Sequence, residues 1–164
     1  MREQRPAARQ RGFTLIELLV SLTLLALLAS VALPFEEVVS RRNKESELRH
    51  DLIVIRNAID AYKRAADAGD IEKSVDQSGY PPNLRVLVDG VVNKRDPNQK
   101  MIYFLRRLPA DPMCGDCAGK APEDTWQTRG YASDADSFSP GDDVYDIRST
   151  SKREGLNGIP YDKW

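Results

Sequence analysis

The sequence predicts an α+β chain: a long N-terminal α-helix packed on a small C-terminal domain with short helices and a small antiparallel β-sheet. The first half of the helix is apolar and transmembrane, the second half amphipathic. Three observations carry this reading. Of the 21 residues from Phe13 to Leu33, 16 are hydrophobic, in a chain that is 41% hydrophobic overall. Beyond Pro34, apolar residues recur at helical spacing along one side only. From Gly69 onward the chain holds nine of its ten Gly and eight of its ten Pro, a density of turns and short elements. The whole is 164 residues, one domain of ordinary size. Its 24 Lys and Arg against 25 Asp and Glu leave a net charge of −1. That balance gives no electrostatic footprint for nucleic acid, which needs a basic patch or stripe. The apolar stretch argues against a purely soluble cytosolic protein.

The chain opens with four arginines, Arg2, Arg5, Arg9 and Arg11, against Glu3, a net of +3 over residues 1–12. Basic residues beside a first apolar segment stay on the cytoplasmic side, which sends everything after Pro34 to the other compartment. As a helix rising about 1.5 Å per residue, Phe13–Leu33 spans roughly 30 Å, the thickness of a bilayer core. It carries one charge, Glu17, and four other polar residues, Thr14, Ser21, Thr23 and Ser30. Three readings compete for it. One is a secretory signal cut after Ala32, at Ser30-Val31-Ala32, but the run exceeds the roughly 7–15 apolar residues of such a signal. The second is an uncleaved signal anchor. The third explains Glu17, a carboxylate placed where a charge is expensive and usually functional.

Downstream, Leu48, Leu52, Ile55, Ile59 and Tyr62 recur at steps of 4, 3, 4 and 3, a one-sided apolar stripe. Charged residues between them, among them Glu45 and Arg49, make the wet side, with Glu45–Arg49 and Asp60–Arg64 as favourable pairs four apart. The helix is expected from about Phe13 to Ala68, stopped by Gly69 and bent at Pro34. The stripe is the seat for the C-terminal domain; a coiled-coil partner is the rival use. His50, the only histidine, falls on the polar side and is assigned no chemistry.

In residues 69–164, Tyr80-Pro81-Pro82-Asn83 opens a short helix through Leu84, Leu87 and Val88. Met101–Leu108 is an apolar stretch stopped by Pro109-Ala110-Asp111-Pro112. Trp126–Ser133 and Asp143–Ser149 are strand candidates joined by the acidic linker Asp134–Asp142. So small a core needs the helix stripe to close it. Cys114-Gly115-Asp116-Cys117 holds the only two cysteines. A disulfide-stapled loop, free thiols, and a redox or metal role all stay open. An oxidising compartment favours the staple, and zinc would lack its usual four ligands.

Gly12-Phe13-Thr14-Leu15-Ile16-Glu17 resembles the cleavage and methylation motif of type IV prepilins and type II secretion pseudopilins. The resemblance implies cleavage by a prepilin peptidase between Gly12 and Phe13, methylation of Phe13, and Glu17 as the family's acidic assembly residue. Pro34 falls where many members carry a helix-bending proline. It also divides the chain into a leader peptide (1–12), a transmembrane and filament-core helix (13–33), its amphipathic continuation (34–68) and a small periplasmic domain (69–164). The segments Tyr80-Pro81-Pro82-Asn83-Leu84 and Leu108-Pro109-Ala110-Asp111-Pro112, then Val144-Tyr145-Asp146-Ile147, are similar to the major pseudopilins of type II secretion. The function implied is a structural subunit of a pseudopilus, assembled into a helical filament that drives protein export. Its implied partners are further copies of itself, the peptidase, an inner-membrane assembly platform, other pseudopilins, and membrane lipid before assembly, with no nucleic acid. The implied location is the bacterial inner membrane, single-pass, and then a periplasmic filament. Alternatives are a type IV pilus pilin or a non-polymerising single-pass envelope binding module. A periplasmic enzyme finds no base, nucleophile or oxyanion arrangement in the sequence.

Major pseudopilins of this type carry calcium in the loop after the last strand. Calcium wants about six to eight oxygens, several of them carboxylates. Here the loop is Ser149–Gly158, where Lys152 and Arg153 stand beside Glu154, and only Asn157 and Asp162 add side-chain oxygens nearby. The two cations favour no cofactor, with calcium as the alternative. The aromatic tail, Tyr161 to Trp164, is expected to pack down and lock the loop instead.

Overall fold

A computed structural model gives the structure of the chain and describes residues 13–74, 76–134 and 137–164, without the side chains of residues 31–35. The chain divides into two units, one ending at Arg41 and one running Arg42–Trp164. Helix α1 (Leu15–Ala68) contributes to both, and its helical assignment continues through Pro34. The leader 1–12 with Gly12, and the side chain of Pro34 with the bend expected there, lie outside the described residues.

In the first unit, every described side chain of α1 is exposed. Leu15 is 79% exposed and Leu28 69%. Among the described residues no helix is long and apolar enough to cross a membrane. The expected span Phe13–Leu33 includes residues 31–33, whose side chains lie outside the described residues.

In the second unit, α1 turns one face inward. Leu48, Ile55 and Ile59 are at most 1% exposed, and Leu52, Ala58, Tyr62 and Ala66 complete the stripe. The expected periodicity is met residue for residue, because positions three and four apart share a helix face. Against it pack Ile71, Leu84, Leu87, Leu108, Met113, Trp126, Val144, Ile147 and Tyr161, one core drawn from the whole length of the unit. Each fully buried Leu or Ile side chain is worth roughly 1.5–3 kcal/mol. Gly69, at φ +78°, takes the left-handed conformation that ends the helix. The amides of Gly69 and Asp70 return to the carbonyls of Ala66 and Ala65 at 3.1 and 2.9 Å.

The elements after Gly69 are short. Helix α2 (Val86–Asp89) is one turn, with the Val86 amide bound to Asn83 Oδ1 at 3.0 Å. Strands β1 (Val91–Val92) and β2 (Met101–Ile102) pair antiparallel, Val91 opposite Ile102. Strands β3 (Trp126–Arg129) and β4 (Asp146–Ser149) pair antiparallel with Trp126 opposite Ser149 and Arg129 opposite Asp146. Among the described residues there are thus two separate two-stranded sheets, where the sequence points to one. Both strand candidates are shorter than expected because the chain turns away at Gly130, whose amide binds Ser139 O at 3.1 Å.

Candidate functional site

The N-terminal segment is built by its own side chains. Thr14 precedes the first helical residue, and its Oγ1 accepts the Glu17 amide at 3.3 Å. This is the threonine half of a capping box, Thr-x-x-Glu, in which the fourth residue carries an acid near the positive helix end. The hydroxyls of Ser21, Thr23 and Ser30 donate to the carbonyls of Leu18, Val20 and Leu27 at 2.9, 2.8 and 2.8 Å. Bonded back to their own helix, these hydroxyls ask nothing of the surroundings, so the segment suits an apolar environment. Glu17 is different: among the described residues no cation contacts its carboxylate. Phe13, 82% exposed, lies just ahead of the helix.

At the other end of the chain, the segment after β4 is tied down by two buried carboxylates. Glu45, on α1 and 5% exposed, accepts the Leu156 amide at 2.7 Å and the Tyr161 hydroxyl at 2.8 Å, both on Oε1. Asp111, also 5% exposed, accepts the Met113 amide at 2.8 Å on Oδ1. Its Oδ2 accepts Ser149 Oγ at 2.7 Å and the Thr150 amide at 3.1 Å. The arginines here bind backbone carbonyls, and Arg56 a carboxylate as well. Arg153 donates to Met113 O at 3.2 Å, and Arg56 to Ile147 O and Trp164 O at 3.0 and 3.2 Å while pairing with Asp146 at 2.8 Å. Arg49 lies 4.4 Å over the Trp164 ring.

The expected solvent-facing pair Glu45–Arg49 is therefore corrected. Glu45 is buried by the tail that folds over it, and Arg49 stacks on an aromatic ring instead. Asp60–Arg64 also gives way, to a pair between Lys63 and Asp67 one turn along. Asp51, on the same helix, is buried, and desolvation, reinforced by Glu47, raises its carboxyl pKa. His50 is exposed, in keeping with its assignment to the polar side.

In the loop Ser149–Gly158, Ser149 Oγ donates to Asp111 and accepts the Ser151 amide at 3.1 Å. Asn157 Oδ1 already accepts the Ile159 amide at 3.0 Å. Glu154 is exposed and its backbone bridges to Pro160. Among the described residues no three carboxylates, histidines or cysteines converge as a metal-holding group. Cys114 and Cys117 are bonded Sγ to Sγ, with Cα atoms 5.7 Å apart, directly after the Asp111 turn.

Three site residues escape a reading by sequence. Thr14 had a signal, the Thr-x-x-Glu spacing. Glu45 and Asp111 had none, since their partners lie 111 and 116 residues away for Glu45 and 38 and 39 for Asp111.

Residues 7–33 match the model of the prokaryotic N-terminal methylation motif. The chain is similar to type II secretion system core protein G of Klebsiella michiganensis, 28% identical over 88% of this chain and 96% of that protein. The same-named protein of Klebsiella pneumoniae is 30% identical over 82% of this chain and 86% of its own length. That of Vibrio cholerae is 30% identical over 71% and 74%. No solved structure matches. With a capped apolar helix behind a methylation motif and relatives aligned over most of their length, the chain belongs to the type II secretion core protein G family, the major pseudopilins of the type IV pilin-like superfamily.

Proposed function

We propose that this pseudopilin is cut between Gly12 and Phe13 by a prepilin peptidase, methylated at Phe13, and drawn from the inner membrane into a periplasmic filament that drives protein export. Before assembly the apolar half of α1 crosses the membrane once, with the C-terminal domain in the periplasm. In the filament the same surface packs against other copies. The observation that carries this reading is the exposed apolar run whose Ser and Thr hydroxyls bond within the helix while Glu17, among the described residues, has no cation partner. Cleavage creates an amine at Phe13, and a neighbouring subunit offset along the axis presents that amine to Glu17. Pairing the two in a low-dielectric core sets register more than it adds stability.

Further copies of the chain, the peptidase, the inner-membrane platform and other pseudopilins are the partners this requires. Oxidation of Cys114 and Cys117 follows from exposure to an oxidising periplasm. The test is the intact mass and N-terminal sequence of the chain from membranes of its native host. A chain beginning at methylated Phe13 is expected. One beginning at Leu33 would make it an ordinary exported protein, and an unprocessed Met1 form alone would leave a membrane-anchored binding module.

A further inference from the structure

We propose that the carboxyl-terminal loop of this pseudopilin closes without a divalent cation, locked instead by two buried carboxylates, Glu45 on α1 and Asp111 beside the disulfide. A calcium loop concentrates carboxylate oxygens on one point. Here two buried carboxylates outside the loop are used differently. Each is 5% exposed and each receives donors from the segment it holds. Glu45 takes the Leu156 amide and the Tyr161 hydroxyl. Asp111 takes Ser149 Oγ and the Thr150 amide on one oxygen and the Met113 amide on the other. Hydrogen bonds to a carboxylate from N–H and O–H groups are charge-assisted and among the stronger ones available.

The positive charges complete the lock. Arg153, in the middle of the loop, donates to Met113 O at 3.2 Å and to Ser151 Oγ at 3.4 Å. Its guanidinium thereby joins the loop to the turn that Asp111 organises, and it would repel a calcium ion brought to the same loop. At the tail, Arg56 binds Trp164 O at 3.2 Å, and the Trp164 ring meets Tyr161 edge-on with centroids 5.1 Å apart. Tyr161, 1% exposed, is at once the plug of the core and a donor to Glu45.

The test uses the full chain purified in detergent, with melting followed by tryptophan fluorescence and tail cleavage followed by limited trypsin digestion. Both are measured in a chelator and in millimolar calcium chloride. Equal Tm and equal tail protection in the two buffers are expected. Glu45→Gln and Asp111→Asn should each lower Tm by roughly 5 °C or more and speed tail cleavage in both buffers alike. Tyr161→Phe, which removes only the hydroxyl, should give a smaller change in the same direction and serves if the carboxylate variants fail to fold. A calcium-dependent rise in Tm or protection would overturn the proposal. So would tail protection unchanged by both Tyr161→Phe and Glu45→Gln.

Discussion

One helix, α1, carries apolar residues into two different settings. In its first unit Leu18, Leu22 and Leu25 are each more than half exposed; in its second, Leu48 and Ile55 are wholly buried. Composition already separates them, since Phe13–Leu33 carries the single charge Glu17 while the second stretch interleaves its Leu and Ile with charged residues. The distribution around the helix separates them further. From Leu15 to Leu28 the apolar residues lie on every side of the helix, whereas after Arg42 all but Ile53 of its large aliphatic ones are at least partly covered, most of them on one stripe. A helix apolar all round must be buried by something other than its own domain, lipid or further helices. The stripe, by contrast, is spent within the chain. The second unit therefore uses its stripe in folding, while the first leaves its described apolar side chains exposed, the surface the proposed filament would bury.

Substitutions can break or sharpen that division. The largest effect is expected from Glu17→Gln, which removes the only charge of the apolar run. Filaments recovered by shearing, or oligomers trapped by cross-linking, should disappear while the melting of the C-terminal domain is unchanged. Filaments of normal yield would break the assignment of Glu17 to register. Next, Ile55→Ala should cost about 2–5 kcal/mol of domain stability through loss of buried methyl groups. Leu25→Ala, an equal truncation in the first unit, should leave the same melt unmoved, and a comparable drop for both would erase the distinction. Gly90 sits at φ +80° with a hypothetical Cβ 2.8 Å from the Tyr103 ring and 2.9 Å from Ile102 O. Gly90→Ala should thus cost about 1–3 kcal/mol, read as a lower denaturation midpoint.

Smaller still is the disulfide. The Cys114–Cys117 bridge closes a short loop, so Cys114→Ser should cost on the order of 1–2 kcal/mol, with reductant producing the same shift in the parent chain. The smallest effect concerns Asp51, whose carboxyl pKa is raised, first by desolvation. A carboxyl raised in the folded state penalises folding only once it is ionised. The penalty is absent at low pH and becomes fully present as pH rises through the folded pKa. Asp51→Asn should therefore gain stability over the parent at neutral pH, and the gain should fade on acidification into the carboxylate range. A constant difference between the two melting curves across that range would count against burial as the cause.

Most of the architecture was legible because it is written in local periods and punctuation. Gly69 marks the helix end, Leu48 through Tyr62 the buried face, and Trp126 and Ile147 the strands of the second sheet. What was misread came from distance. Glu45 looks like a surface acid paired four residues on, until Tyr161 arrives from the far end of the chain and buries it. Asp111 looks like part of a Pro-flanked turn, until Ser149 and Thr150 bring it their donors. Thr14 lies between these cases: its capping role is readable from the Thr-x-x-Glu spacing, which also falls within the processing motif.

By itself, the sequence determined the motif from Gly12 to Glu17, the long helix, the change from an all-round apolar surface to a single stripe, and the turn-rich domain that follows. Each rests on residues within a few positions of one another, where spacing dictates geometry. Only the tertiary structure decided which carboxylates are buried, that two small sheets form rather than one, and how the tail is held. Those outcomes depend on donors and acceptors that meet after folding, and no local pattern records a partner more than a hundred residues away.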